Sequence, residues 1–339
     1  MTETTCGRVL SGPEDEVRRA YEKWARQRVD LELAPEPGDA CCPFSTTLGG
    51  TASVTGPGTF FGRAQRTLRF EPTERKGWSF ARQDLLDSLP IQVSVNNVWT
   101  TVRNIVLRSG SPHNYVRMVE HIVALKAGMG LDNVLIRLDS GDPPLFDRSS
   151  MDLVEAVEKA GVVAQGDRAA YLTVKEPVTV GTPGGSFLTF LPAEGGSREL
   201  VVDCAVDFRS AIGKQRIRFP VTPGIFRRGA SARTNTSLGM MLYCKTVGKI
   251  FADVRNLGYT TRNILVAGRW RYFNRPGLLH EGHSLEAVWH RATLDLLAAI
   301  ALIDRGRLAG KVISYKAGHA LDVQMIRELY QRDLLEPMA

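Results

Sequence analysis

The chain has 339 residues, 43% of them hydrophobic, which is enough to bury the cores of two ordinary domains. Its net charge of +7 is spread along the chain with no aromatic-interleaved basic stripe. That pattern argues against a nucleic-acid binder and fits a solvated basic surface or contact with an anionic substrate. No apolar run approaches the roughly 20 residues of a membrane-spanning helix, and the polar, acidic start Met1-Thr2-Glu3-Thr4-Thr5 lacks the pattern of a secretory leader. The five cysteines (Cys6, Cys41, Cys42, Cys204, Cys244) are an odd number without metal-type spacing, as expected of reduced thiols in a cytoplasmic protein.

The predicted elements follow in order. Residues 14–30 form an amphipathic helix on which Val17, Ala20, Tyr21, Trp24 and Val29 share a face; Pro13 suits its start and the stretch 35–43 ends it. It is expected to pack on the body of the protein or on a second subunit in a homodimer. Strands are predicted at 67–70, 91–95 and 102–107, a helix at 120–128, a strand at 134–138 and a helix at 149–160 that stops at Gly161. Further strands fall at 172–174, 186–190, 199–206 and 216–219, with a helix or its edge within 234–248. A strand at 263–266, a long helix at 285–303, a strand at 312–315 and a helix at 320–332 complete the chain. The fold class is α+β: an N-terminal extension and linker (1–45), a first sheet-plus-helix domain (46–170) and a similar second one (171–339).

Three places carry acid–base or metal-binding chemistry. Glu120 and His121 open a helix that otherwise reads apolar, in Met118-Val119-Glu120-His121-Ile122. His319 follows a predicted strand in Tyr315-Lys316-Ala317-Gly318-His319. His290 and Asp295 lie in Trp289-His290-Arg291-Ala292-Thr293-Leu294-Asp295. A carboxylate can take a proton from water, an imidazole near its ordinary pKa suits an acid, and imidazoles with carboxylates bind zinc.

With further segments, these form an ordered series. It runs through Gly56-Pro57-Gly58-Thr59-Phe60-Phe61-Gly62, Met118 to Asn133, Pro144 to Ser150, Val206-Asp207-Phe208 with Gly213-Lys214-Gln215, and Arg233-Thr234. It continues through Asn274 to Gly277, Glu286 to Ile300 and the Tyr315 to His319 segment. The series resembles the bacterial UDP-3-O-acyl-N-acetylglucosamine deacetylases, zinc amidases of lipid A synthesis built from two similar domains with the site between them. The resemblance implies Glu120 as general base and His121 as a zinc ligand. It implies His319 as oxyanion stabiliser or acid, Lys316 as a substrate contact and Thr234 near the scissile amide.

Departures from the family pattern oppose that reading. The family's two remaining zinc ligands are a histidine and an aspartate four residues apart, about 40° around a helix. His290 and Asp295 are five apart, about 140° around a regular helix, and only a π turn would bring them together. The glycine-rich segment's histidine is Phe60, a further acidic position is Ala299 (Ala298 in the other register), and two more segments read Asp147-Arg148-Ser149 and Tyr259-Thr260-Thr261-Arg262-Asn263.

The expectation is therefore a metal-independent acid–base enzyme with no cofactor, acting on a small amine that carries a carboxylate, in secondary metabolism. One form is imine formation and ring closure of the Pictet–Spengler type. Glu120 would be the base, with His319 and Lys316 as acid or anion-stabilising groups. Arg291 would take the metal position and clamp the carboxylate, and His113 and Arg103, with Arg108 and Arg117, would reach the same cleft. Thr234 and Phe60 would line the substrate side. The alternatives are a zinc deacetylase holding the metal with His121, His290 and Asp295, and a non-catalytic binding protein on the same fold.

Overall fold

The computed structural model describes residues 6–59, 64–246 and 260–338, apart from the side chains of residues 244 and 245. Two sheets organise it. In the first half, Val134–Leu138 lies between Gln65–Pro72, antiparallel, and Trp78–Arg82, parallel; Ala52–Pro57 and Ile91–Gln92 complete five strands. Burial alternates along Val134–Leu138, with Val134, Ile136 and Leu138 inside, the period-two pattern of a strand covered mainly on one face.

In the second half, a seven-stranded sheet has Gly310–Tyr315 near its centre, antiparallel to Phe187–Leu191 and parallel to Leu200–Asp207. Its alternating side chains serve two cores. Val312 belongs to the main core, while Ile313 and Tyr315 pack with Val17, Ala20, Tyr21 and Trp24 of the helix Glu14–Ala25. The extension before this helix adds Arg8–Ser11 to one sheet edge beside Val178–Gly181, and the segment after it adds Leu31–Glu32 to the other edge beside Lys214–Pro220. Both exposed edges are thereby covered, and the helix bridges them. Its apolar stripe is buried by this chain's own sheet, so the stripe offers no surface for a second subunit. Arg216 fixes the helix end: it pairs with Asp203 at 2.8 Å, donates to the carbonyls of Trp24 (2.9 Å) and Gln27 (2.8 Å), and lies 4.1 Å from the centre of the Trp24 ring.

Between the sheets, the helix Glu120–Gly128 packs against the stretch from Arg291 to Ile300, so the helices of the two halves face each other. The helix His319–Gln331 lies against Phe187–Leu191 and that same stretch. No helix among the described residues is long and apolar enough to cross a membrane.

The structure departs from the sequence expectation locally. The first helix stops at Ala25, and Leu31 and Glu32 leave it for a sheet. The strand expected at 102–107 is confined to Val106–Arg108, because Arg103 adopts a left-handed φ of 70° inside a turn. The strand expected at 91–95 ends at Gln92; Ser94 then accepts from the Asn96 backbone N–H at 3.3 Å and caps a short turn, Val95–Asn97. The expected long helix at 285–303 is present but changes pitch in its middle.

Candidate active site

The site forms where the two halves meet. Glu120 is the first residue of its helix and is 3% exposed. The backbone N–H of Ile105 donates to its Oε2 at 3.1 Å. Burial is the largest influence on this carboxyl and pushes its pKa up; the charge of His319 works against it. His121 follows directly, its Nδ1 3.3 Å from Ser149 Oγ and 3.4 Å from Ser150 Oγ. Ser150 also donates to the His121 carbonyl at 2.8 Å. Burial, and then the neighbouring His290, pull the His121 pKa down to about 3, so the ring is neutral, the form that binds metals.

The second half supplies the next pair. Arg291–Leu296 is one turn of π-helix between the α-helical segments Glu286–His290 and Leu297–Ile300. A π turn closes five residues on, so residues at i and i+5 stack. His290 and Asp295 therefore come together, with His290 Nδ1 3.5 Å from Asp295 Oδ1, rather than pointing about 140° apart as on a regular helix. The expectation of a broken pair is corrected by this one extra residue. Thr293 Oγ1 donates to the Trp289 carbonyl at 2.7 Å, a local bond of the kind that bends helices. The His121 and His290 rings lie 5.5 Å apart, and His290 Nε2 is 2.8 Å from Thr234 Oγ1. Burial alone would raise the Asp295 pKa, but His290, His319 and Arg291 outweigh it and hold the carboxyl well below its usual range.

His319 joins the halves. It opens the last helix, with its Nε2 3.8 Å from Glu120 Oε1 and 3.6 Å from Asp295 Oδ1. Burial pushes its pKa down, but the charges of Asp295, Glu120 and Asp322 overcome that and raise it. Three non-glycine residues in the left-handed region flank the cluster: Met118 (φ 49°) before Glu120, Ser149 (φ 58°) beside His121, and Lys316 (φ 54°) before His319. Such strain, costing about 1–3 kcal/mol per residue, concentrates at functional sites.

The other expected residues are placed differently. Arg291 does not occupy a metal position open to substrate: it is buried and its Nη2 is salt-bridged to Asp322. Lys316 is exposed, 5.8 Å from the centre of the Tyr315 ring. Arg103 and His113 are exposed on the segment before the Glu120 helix, and Arg108 lies 4.7 Å from the centre of the Trp99 ring. Phe60 lies outside the described residues. Sequence reasoning missed the parts of Ser149, Ser150 and Asp322. The serines lay inside a matched segment, and Asp322 sits one turn after His319, but spacing alone gave none of them a partner.

Two imidazoles and a carboxylate make a zinc-type donor set. Asp295 Oδ1 is buried without a hydrogen-bond partner, the kind of acceptor that a cation satisfies. Among the described residues no three His, Cys, Asp or Glu side chains already stand as a metal cage, and His290 Nε2 is engaged by Thr234. In donor chemistry, the His121, His290 and Asp295 set fits zinc.

The sequence model of the family described as UDP-3-O-acyl N-acetylglycosamine deacetylase matches residues 45–331. Proteins named UDP-3-O-acyl-N-acetylglucosamine deacetylase from Brucella ovis, Brucella canis and Brucella suis are each 28% identical over 288 residues, covering 84% of this chain and 95% of the relative. The match begins after the extension that caps the second sheet and includes Glu120, His121, His290, Asp295 and His319. The chain belongs to the UDP-3-O-acyl N-acetylglycosamine deacetylase family.

Proposed function

We propose that the protein is a zinc-dependent amide hydrolase that removes an acyl group from the nitrogen of an acylated UDP-sugar, the substrate class in the name of its relatives. The observation that carries this reading is the π turn. It places Asp295 3.5 Å from His290, beside His121 and facing Glu120 and His319. Zinc held by His121, His290 and Asp295 would supply Lewis acidity toward an amide carbonyl. The residues supply the rest. Glu120, a buried carboxylate with a raised pKa, accepts a proton from the attacking water. His319, its pKa raised by Asp295 and Glu120 against burial, gives a proton to the departing amine nitrogen as the C–N bond breaks.

The second reading is metal-free acid–base chemistry on an amine that carries a carboxylate. The observation in its favour is the Arg291 Nη1, 3.9 Å from Asp295 Oδ2, a fixed positive charge beside that carboxylate. The salt bridge that occupies Arg291 with Asp322, and membership of the deacetylase family, support hydrolysis over this second reading. Elemental analysis of the purified protein, with acetate release from UDP-3-O-acyl-N-acetylglucosamine measured with and without chelator, separates the two. One zinc per chain and chelator-sensitive release are expected. A zinc-free protein that releases no acetate, yet joins an amine to an aldehyde in chelator, would sink the hydrolase reading.

A further inference from the structure

The first residue of the π turn has a buried counter-ion. Arg291 is 6% exposed and Asp322 0%. Arg291 Nη2 donates to Asp322 Oδ1, and to Ser314 Oγ at 3.4 Å. Asp322 stands one turn after His319 on the last helix. The salt bridge therefore ties the turn that carries Asp295 to the helix that carries His319, and those two meet at 3.6 Å. Arg291 Nε and Nη1, Asp295 Oδ1, His319 Nδ1 and Asp322 Oδ2 are all buried without hydrogen-bond partners, so beyond the Arg291 bonds to Asp322 and Ser314 the cluster is held by charge pairing.

Stability alone accounts poorly for such an arrangement. Buried ion pairs stabilise, on average, no better than apolar residues of similar volume, because desolvation offsets the attraction. The sequence adds a second clue. Without Arg291 the segment would read His290-Ala292-Thr293-Leu294-Asp295, four residues from His to Asp, the spacing that a regular α-helix puts on one face. Removing any one of residues 291–294 restores that spacing, so the wide turn accommodates one extra residue, and Arg291 is the member of the four whose side chain is salt-bridged to the last helix.

We propose that Arg291 and Asp322 are a positioning pair for the catalytic cluster, a reading that rests on the hydrolase site above. Their salt bridge holds the widened turn against the last helix and fixes Asp295 within reach of both His290 and His319. Neither residue touches substrate.

The test uses the full chain and the double variant Arg291→Met/Asp322→Leu, which removes both charges and keeps an apolar fill. Crystal structures, thermal unfolding and cobalt(II) affinity of the metal-stripped protein, read from visible absorption, are compared with wild type. The double variant should unfold near the wild-type temperature. The 3.6 Å contact between Asp295 and His319 should open. Cobalt affinity should fall about 10- to 100-fold, the usual effect of removing a partner that orients a metal ligand. A second variant, deletion of Arg291 combined with Asp322→Asn, should show a regular helix with His290 and the aspartate on one face, and should bind cobalt more tightly than the double variant. An unchanged turn and unchanged contacts in Arg291→Met/Asp322→Leu would overturn the proposal, as would a wild-type crystal structure without the π turn. A wild-type protein that binds no metal would refute the hydrolase reading, while the crystallographic comparison would still decide this one.

Discussion

The two helices that face each other across the site carry their chemistry differently. In the first, Glu120–Gly128, the two proposed functional residues are consecutive at its opening turn, about 100° apart around the helix, so regular winding brings Glu120 to His319 and His121 to His290. In the second, the functional pair is five residues apart and depends on pitch: regular winding separates His290 from Asp295, and one π turn unites them. The first arrangement needs only regular winding, whereas the second needs a local change of pitch that contacts with its neighbours accompany. The neighbours are visible: Thr293 bonded back to Trp289, and Arg291 bonded across to Asp322.

The largest effect that tests this contrast lies on the regularly wound side. Glu120→Gln keeps the shape of the side chain and removes the base, so turnover should fall about 10²–10⁴-fold with circular dichroism unchanged. A fully active variant would show that the first helix is not the catalytic one.

On the dependent side, Asp322→Ala removes the near counter-ion of the buried Arg291 guanidinium and leaves it only the 3.9 Å approach to Asp295 and the Ser314 hydroxyl. Urea denaturation should record a loss of about 3–5 kcal/mol, the usual result of removing one partner of a buried pair. A loss below about 1 kcal/mol, typical of exposed pairs, would mean that the turn is held by something else.

The far ends of the same helices give a pH test. Lys126 Nζ donates to the carbonyls of Ala301 and Ile303, each at 2.7 Å, and its burial pulls the pKa down to about 8. Between that value and the ordinary lysine range near 10.4 the unfolded chain binds more protons than the folded one. Stability should therefore rise with pH from about 8 to 10, by roughly 2–3 kcal/mol at about 1.4 kcal/mol per unit, and be lost again as pH falls through 8. Lys126→Met should flatten that slope in pH-dependent denaturation; a slope equal to wild type would refute the assignment. The smallest effect concerns Thr234→Val, which removes the 2.8 Å contact with His290 Nε2 and should lower the thermal midpoint by an amount corresponding to about 0.5–1.5 kcal/mol. No shift would show that this hydroxyl does not hold the ring.

Much of the fold was legible because its signals are local. The apolar helix opening at Glu120 and the alternating strand Val134–Leu138 lie where the pattern put them, since periodicity follows from the backbone geometry of each element. The short edge strands Arg8–Ser11 and Leu31–Glu32 were not legible, because so few residues carry no period and only the sheet's open edges recruit them. Within the site, Glu120, His121 and His319 could be picked out by residue type and ordered motifs. Asp322, Ser149 and Ser150 could not, because their roles consist of partners distant in the chain.

The sequence by itself determined which chemical groups the protein brings to its site: a glutamate beside a histidine, a second histidine and aspartate, and a third histidine after a strand. It also determined the family, because ordered short motifs survive even where single positions change. Only the tertiary structure decided whether the second pair meets. Helix pitch at one turn depends on how its extra residue is buried, and the Arg291 side chain is settled by a carboxylate thirty-one residues away on another helix. A one-residue insertion is ambiguous in one dimension, since it can break a site or bulge around it; packing against Asp322 and Ser314 selects the bulge.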